Sequence, residues 1–265
     1  AVMRLQKQFG HRVNGVVDAL LIKELNVPLE QRIEQLQVNM NRYNALTQVP
    51  EGTWLVANIP EFKLHVYEGK QEVFEMDIVV GKESSKTVIF NDEIQYIVFS
   101  PSWNVPPGII QNEMLPAMRS DPGYLRRNGY VQTGTENGLP VIKQLPGPNN
   151  SLGKVKFVFP NNHNIYFHDT PAKSLFQFQQ RAFSHGCIRL SEPGKLAAYI
   201  LRNTQWSEDR IQKAMDSGKE QFVSLQTPVA ISITYFTAWV DETGLVHFRD
   251  DIYGLDKLES RVAKN

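Results

Sequence analysis

Hydrophobic residues near the start of the chain recur with the period of an α-helix. The spacing is four, three, four and three residues at Leu29, Ile33, Leu36, Met40 and Tyr43. This pattern places the side chains on one helical face, opposite Glu, Gln, Arg and Asn. It predicts a connecting helix over residues 29–48 that packs on the next domain. Residues 1–28 carry shorter apolar clusters that end at "NVP", and we interpret them as the C-terminal part of a small helical domain.

From Trp54 onward the period changes to two, which is the pattern of β-strands. The runs "TWLVANI", "FKLHVYE", "VFEMDIVVG" and "IQYIVFS" come first, and "VKFVFP" and "NIYFHD" follow. Helices are predicted at "SLFQFQQRAF", at "PGKLAAYIL" and after Ser207, a typical N-cap residue. The end of the chain predicts a hairpin that turns at residues 242–244. The predicted fold class is α+β, a mainly β domain over residues 49–265 with flanking helices.

The segment over residues 101–150 interrupts these strands and is dense in Pro, Gly and Asn. It is too long for a plain connection, so it predicts an inserted cap lobe. Pro and Gly cluster at both ends, in "VPPG" and "LPGPNN", where hinges would lie. We expect a mobile lid over Cys187, with too few apolar residues for a separate core. A rigid lobe used for docking is the alternative.

The composition limits the class of function. The 265 residues carry 28 basic and 28 acidic side chains, and this balance argues against a nucleic-acid-binding protein, which needs clustered Lys and Arg. No run of 18 apolar residues is present, so no transmembrane span is predicted. The sequence starts with "AVM" and no signal peptide, which suggests a fragment of a longer precursor. A single cysteine excludes an internal disulfide.

That cysteine, Cys187, lies in "FSHGCIRL", next to Gly186 and two residues after His185. A lone cysteine is most often a small, inert, buried residue, but the neighbours of this one favour chemistry. Gly186 lets consecutive backbone N–H groups converge on one point, as an oxyanion hole requires. A thiol also needs a base to become a nucleophile. Spacing alone does not choose between His185 and His168 as that base.

A zinc site is the rival interpretation of the same residues. The possible ligands are His163, His168, His185 and Cys187. Structural zinc sites favour paired Cys-x-x-Cys or His-x₃-His spacings, which this sequence lacks. We therefore expect no metal and no other cofactor. The histidines interpreted as structural are His11, His65 and His247.

The pattern of a His followed further along by Ser/Thr-His-Gly-Cys and an apolar residue resembles the signature of the L,D-transpeptidases, the YkuD-type cysteine enzymes of bacterial cell-wall synthesis. Here it reads "HDT" at 168–170 and "SHGCIR" at 184–189, and "VVGK", "SPSWNVP" and "PGPNNSLGKVKFVFPN" extend the match. The wider text is similar to the larger Gram-negative members, whose YkuD-like β-sandwich carries a capping insertion. Residues 1–28 are similar to the end of a peptidoglycan-binding domain. Many members have Asn where this chain has Arg189.

The resemblance implies a role for each residue of the signature. Cys187 would be the nucleophile, and His168 would be the general base, oriented by the backbone carbonyl of Asp169. The oxyanion hole and its support would come from Ser184, His185 and Gly186, together with the N–H of Cys187. We also expect two substrate-binding residues, Trp103 and Arg189, with the guanidinium of Arg189 holding a donor-stem carboxylate or polar backbone.

The activity implied by the resemblance is acyl transfer on peptidoglycan. The thiolate would attack a donor tetrapeptide stem and release D-alanine, and the side-chain amine of an acceptor diamino acid would form a 3–3 cross-link. The implied partners are peptidoglycan stem peptides, and carbapenem β-lactams as covalent inhibitors; the implied location is the periplasm or cell envelope. A hydrolase that uses water in place of the amine, and a wall-binding module without catalysis, are the alternatives.

Overall fold

The computed structural model describes residues 1–44 and 50–262 of the chain. They form two compact units, each built from separate stretches of sequence. The first unit contains residues 1–91, 176–186 and those from 231 onward, and the second contains residues 92–175 and 187–230. The predicted division into 1–28, 29–48 and 49–265 stays a prediction, and residues 45–48 of the predicted connecting helix lie outside the described residues.

The secondary structure is α+β and mainly β after the third helix, which confirms the predicted fold class. The helices are α1 (Val2–Gln8), α2 (Ala19–Leu25), α3 (Leu29–Asn44), α4 (Pro107–Ile109), α5 (Leu115–Ser120), α6 (Tyr124–Arg127), α7 (Pro193–Ile200), α8 (Glu208–Asp216) and α9 (Leu255–Val262). A π-helical turn, Ile110–Met114, joins α4 to α5, and 3₁₀ turns occur at Glu83–Ser85 and Lys173–Gln177. Among these residues no helix is both long enough and apolar enough to cross a membrane.

The strands alternate with these helices along the chain. They are β1 (Thr53–Asn58), β2 (Lys63–Glu68), β3 (Gln71–Gly81), β4 (Phe90–Phe99), β5 (Trp103–Asn104), β6 (Tyr130–Glu136), β7 (Leu139–Gln144), β8 (Val155–Val158), β9 (Phe167–His168), β10 (Ala182–Ser184), β11 (Ile188–Leu190), β12 (Gln221–Thr234), β13 (Ala238–Val240) and β14 (Val246–Phe248). The predicted strands from Trp54 to Phe99 are confirmed to within a few residues. So are α7, α8 with its Ser207 cap, and the turn at residues 242–244 between β13 and β14.

In the first unit, β2 lies between β1 and β3 in antiparallel pairing, and β10 runs parallel to β3. The core of this sheet comes from alternate apolar residues that are fully buried, for example Leu55, Leu64 and Ile78. Helix α3 belongs to the same unit, but the prediction of its buried face was wrong. Leu29 and Met40 from the apolar stripe are 70% and 63% exposed.

The face of α3 that makes tertiary contacts is largely polar, with Val38 as a buried apolar member. Asn39 is buried, where its amide donates to Thr237 Oγ1 at 2.7 Å and its carbonyl oxygen accepts from the Thr237 N–H at 2.9 Å. Arg42 binds Asp256 at 2.7 Å and the backbone carbonyl of Tyr235 at 2.8 Å. Hydrogen bonds to groups that would otherwise be buried and unpaired therefore orient this helix more strongly than its apolar stripe does.

The predicted helix at residues 174–183 is also wrong. The chain forms the 3₁₀ turn at Lys173–Gln177 and then the strand β10. The reason lies in Arg181, whose side chain donates to the backbone carbonyls of Ile78 at 3.1 Å and Phe62 at 2.9 Å and pairs with Asp77 at 2.9 Å. These tertiary bonds hold the segment extended and override its helical propensity. Helix α9 was not predicted.

In the second unit, the strand order is β4-β8-β9-β11. Strand β8 pairs antiparallel with β4 and with β9, and β11 runs parallel to β9. Val155, Phe157, Phe167 and Ile188 are fully buried. Their burial fixes the opposite face of β8, β9 and β11, where the residues of the signature lie.

The segment over residues 101–150 forms a lobe within the second unit. Strands β5 and β6 flank β7 in antiparallel pairing, and the helical segment from α4 to α6 lies between β5 and β6 in the chain. The lobe has a small core of its own, which corrects the expectation that it has too few apolar residues. The buried members are Val105, Ile110, Met114 and Ile142.

Gly153 provides a test of the packing around the loop after β9. Its φ is +61°, and a Cβ there would overlap the carboxyl group of Asp169, which is 6% exposed. Gly153→Ala should lower the free energy of unfolding in urea by about 2 kcal/mol or more, from backbone strain plus this overlap. Gly138→Ala is the matched control, because Gly138 has a φ of +78° but open space around it. Gly138→Ala should lower the free energy of unfolding by about 1 kcal/mol. Equal losses in the two variants would show that overlap with Asp169 adds nothing at Gly153.

Candidate active site

The pairing of β9 with β11 brings the histidine and cysteine signatures together. Ile188 is aligned with Phe167, and Arg189 is aligned with His168. By the same register, Cys187 is level with Tyr166. Side chains alternate between the two faces of a strand. One face of the sheet therefore carries Tyr166, His168, Cys187 and Arg189, with Cys187 beside Tyr166 and diagonal to His168.

The sulfur of Cys187 is half-buried and held by polar contacts from one loop. It donates to the backbone carbonyl of Asn164 at 3.5 Å. It also accepts hydrogen bonds from the backbone and the hydroxyl of Tyr166. Burial raises the pKa of the Cys187 thiol, and the bonds from Tyr166 and the charges of Lys156 and Arg189 offset part of that rise. The resting state is therefore a neutral thiol with donors already placed for a thiolate.

His168 is buried, and its tautomer follows from its hydrogen bond. Nδ1 lies 2.5 Å from the backbone carbonyl oxygen of Asp169. A carbonyl only accepts, so Nδ1 carries the proton and Nε2 of the neutral ring carries a lone pair. Burial, and then the charge of Arg189, lower the pKa of His168 to about 3, although the bond to Asp169 acts in the opposite direction. The imidazole is thus a neutral ring whose Nε2 carries a lone pair.

The side chain of Asp169 has a separate structural task. Its carboxylate binds Lys173 Nζ at 2.6 Å and the backbone N–H of Lys154 at 2.9 Å. These contacts fix the loop after β9 and therefore the carbonyl that orients His168. The negative charge of Asp169 is directed at Lys173 and not at the imidazole.

Tyr166 is a site residue that sequence reasoning missed. Its hydroxyl is hydrogen-bonded to the side chains of Trp103 and Cys187, and burial and Cys187 raise its pKa. Because an indole N–H only donates, Trp103 donates to the tyrosine oxygen, and the tyrosine donates to sulfur. The signal was present: Tyr166 precedes His168 by two residues in a predicted strand, so both had to lie on the same face. Trp103, predicted to bind substrate, reaches the site through Tyr166.

Ser184, His185 and Gly186 belong to the first unit, immediately before Cys187 in the chain. Gly186 has a φ of +115°, which disfavours any residue with a Cβ. Its carbonyl accepts from the buried Thr87 hydroxyl at 2.8 Å, and its N–H donates to Ser184 Oγ at 3.1 Å. His185 is exposed. The N–H of Gly186 is therefore engaged in this structure, and Thr87, which the sequence did not single out, fixes the glycine.

The other histidines have structural surroundings. His65 lies between Glu61 and Glu72, at 2.9 Å and 3.1 Å; these bonds outweigh its burial and raise its pKa to about 10. His247 binds Asp241 at 2.7 Å. Among the described residues, a group of three side chains has possible metal-ligand atoms within 4.8 Å of one another. It consists of His65, Glu72 and Glu75. It contains none of the ligands considered for zinc, and its histidine is already held as an imidazolium by carboxylates.

The chain belongs to the YkuD family, the L,D-transpeptidase catalytic domain, whose family model matches residues 52–231. A curated protein of Haemophilus influenzae, whose name assigns it provisionally to the L,D-transpeptidases, is 28% identical over 239 residues. The match covers 84% of this chain and 48% of that protein, so the chain spans about half the length of the curated relative. The resemblance seen in the sequence is thus confirmed at the level of the family.

Solved structures of the family are similar at low identity. An L,D-transpeptidase from Mycobacterium smegmatis is 16% identical with a TM-score of 0.38, over 69% of this chain and 58% of that one. One from Stackebrandtia nassauensis is 12% identical with a TM-score of 0.32, over 88% and 75%. L,D-transpeptidase 3 from Mycobacterium tuberculosis, in complex with a faropenem-derived adduct, is 12% identical with a TM-score of 0.34, over 69% and 60%.

The neutral state of His168 has a measurable consequence for stability. The pKa is about 3 in the folded protein and about 6.5 in an unfolded chain. Between these values only the unfolded state binds the proton, so His168 lowers stability as the pH falls below about 6.5, by up to about 1.4 kcal/mol per pH unit. Urea unfolding of the wild type and of His168→Gln between pH 6 and pH 4 should therefore show a shallower slope in the variant. Equal slopes would mean that the folded protein already holds an imidazolium.

Proposed function

We propose that this chain is a peptidoglycan L,D-transpeptidase in which Cys187 carries the acyl group and His168 moves the protons. The observation that supports this most strongly is the pair of neutral groups on one face of β9 and β11: a thiol hydrogen-bonded to Tyr166, and an imidazole whose Nε2 lone pair is free. Membership of the YkuD family supports the reaction class. The substrate is inferred from that membership and from the signature.

In the first half-reaction, the thiol proton passes to Nε2 of His168 as sulfur attacks the carbonyl of the L,D bond in a donor tetrapeptide stem. Both groups are neutral at rest, so charge develops only when the substrate is present. By the family signature, the backbone N–H groups of Cys187 and His185 are the candidates that would stabilise the oxyanion. The imidazolium then protonates the leaving amine, and D-alanine departs from a thioester on Cys187.

In the second half-reaction, the side-chain amine of an acceptor diamino acid attacks the thioester. His168 accepts a proton from that amine, and the proton is returned to the leaving sulfur, so the resting thiol is restored. The product is an amide that joins two stems as a 3–3 cross-link. Attack by water in place of the amine would make the chain an L,D-carboxypeptidase, and the same residues would act in both reactions.

The location and partners follow from the substrate. Peptidoglycan lies in the cell envelope, so we place the protein in the periplasm. A carbapenem is an activated amide that would acylate Cys187 and leave a stable adduct. The cap lobe over residues 101–150 contributes Trp103 to the site through Tyr166, which supports the view that the lobe contacts the donor stem.

Incubation with disaccharide-tetrapeptides and mass analysis of the products tests the proposed activity. We expect cross-linked dimers with loss of one D-alanine, and one carbapenem adduct per chain by intact mass. Cys187→Ala should fold normally and lose both, because no other residue can carry the acyl group. Release of D-alanine without dimers would assign a hydrolase. Turnover by Cys187→Ala would refute the assignment of the nucleophile.

His168→Ala and His185→Ala distinguish the two histidines beside the cysteine. His168→Ala should lower the rate of acylation about 100-fold or more, because general base catalysis is lost. His185→Ala should lower the rate of acylation much less, because His185 is exposed and only its backbone N–H is assigned a role. Single-turnover acylation by a carbapenem measures both. A larger loss in His185→Ala would make His185 the base.

A further inference from the structure

Two cationic side chains flank His168 on the face that carries Cys187. Lys156 on β8 is aligned with His168 on one side, and Arg189 on β11 is aligned with it on the other. Aligned residues on neighbouring strands have adjacent side chains on one face. Lys156, His168 and Arg189 therefore form a row across three strands, and Lys156 and Arg189 are both half-buried.

The head group of Lys156 is held near the sulfur. Nζ lies 3.7 Å from the centroid of the Tyr166 ring, a cation–π contact. The hydroxyl of the same ring is bonded to Cys187 and to Trp103. The charge of Lys156 therefore lies against the residue that contacts the thiol.

Lys156 and Arg189 lack a carboxylate partner, in contrast to comparable cations of this protein. In the described part of the chain no ion pair involves either residue, and Nε of Arg189 is buried without a hydrogen-bond partner. Ion pairs are present at Arg32–Glu24, Arg42–Asp256, Arg181–Asp77, Lys154–Asp216 and Lys173–Asp169. Glu220 and the sulfur of Cys187 influence Lys156 by charge only.

Half-buried cations without a counter-ion are costly. Burial lowers the pKa of Lys156 and of Arg189, which reflects the lost hydration of each charge. The thiol is protonated at rest, so it does not neutralise them. A carboxylate bound to the two side chains would supply the missing negative charge and offset this cost.

We propose that Lys156 and Arg189 form a carboxylate-binding subsite beside Cys187, which receives a free carboxylate of the acyl donor close to its scissile carbonyl. This inference rests on the proposed function and adds to it the role of Lys156 and the requirement for an anionic donor. Lys156 is a binding residue in this scheme. The proton transfers remain with His168.

A pair of small alkylating agents tests the subsite without a peptidoglycan substrate. Iodoacetate and iodoacetamide both form a C–S bond to Cys187 with loss of iodide, and they differ by one carboxylate. The ratio of their second-order rate constants cancels any effect of a mutation on the fraction of thiolate. In the folded wild type, the ratio of the iodoacetate to the iodoacetamide rate constant should be about fivefold or more above the same ratio in the urea-unfolded protein.

Three variants make the test specific. Lys156→Met should remove most of the iodoacetate preference, and Lys156→Arg should retain it because the charge is kept. Lys154→Met is the matched control: it removes the same charge two residues away, where the lysine is exposed and paired with Asp216. The control should keep the wild-type ratio. A wild-type ratio equal to that of the unfolded protein, or an equal fall in Lys154→Met and Lys156→Met, would overturn the subsite.

Donor stems with a free and with an amidated carboxylate connect the subsite to the proposed function. The wild type should show a higher kcat/KM for the free carboxylate, and Lys156→Met should lose that preference. If no stem is turned over but the iodoacetate preference holds, the subsite stands and the proposed substrate is wrong. If stems are turned over with no preference for the carboxylate in the wild type, the function stands and the subsite is wrong.

Discussion

The parallel register between β9 and β11 is the constraint on which the rest of the site depends. Phe167 and Ile188 are aligned and fully buried, and the N–H of Ile188 donates to the carbonyl of Tyr166 at 3.2 Å. A slip of β11 by one residue would turn Ile188 to the opposite face, away from Phe167. Burial of this pair therefore fixes which face carries Cys187 and His168. The same alternation of side chains along β9 and β11 places the apolar residues in the core and the candidate catalytic residues on the opposite face.

Part of the fold could be predicted from the sequence because periodicity reports burial directly. The strands from Trp54 to Phe99 and the capped helix α8 follow from that rule. The failures have a common cause in tertiary hydrogen bonds. Asn39 turns a polar face of α3 inward, and Arg181 holds a helix-like sequence extended through carbonyls more than a hundred positions away in the chain. No local pattern encodes partners at that distance.

The residues of the candidate site also divide into those that the sequence identified and those that it did not. Cys187 and His168 stand out because their residue types and spacing are unusual in sequence. Thr87 and Lys156 do not stand out, since threonine and lysine occur throughout the chain, and Tyr166 is marked only by its place two residues before His168. Their importance comes from position, namely the hydroxyl on sulfur, the bond to the Gly186 carbonyl, and the place beside His168 in the sheet. Only the pairing of strands brings these properties out.

A backbone carbonyl, and not a carboxylate, orients the histidine, and this choice sets the charge of the whole site. A carboxylate on Nδ1 would favour the imidazolium and would also neutralise the neighbouring cations. Asp169 directs its carboxylate to Lys173 and to the backbone N–H of Lys154, and offers His168 only its carbonyl. Burial and the charge of Arg189 then keep the imidazole neutral between Lys156 and Arg189. The positive charge of these two side chains is left without a protein counter-ion, so a negative charge supplied by the substrate has a place to bind beside the thiol.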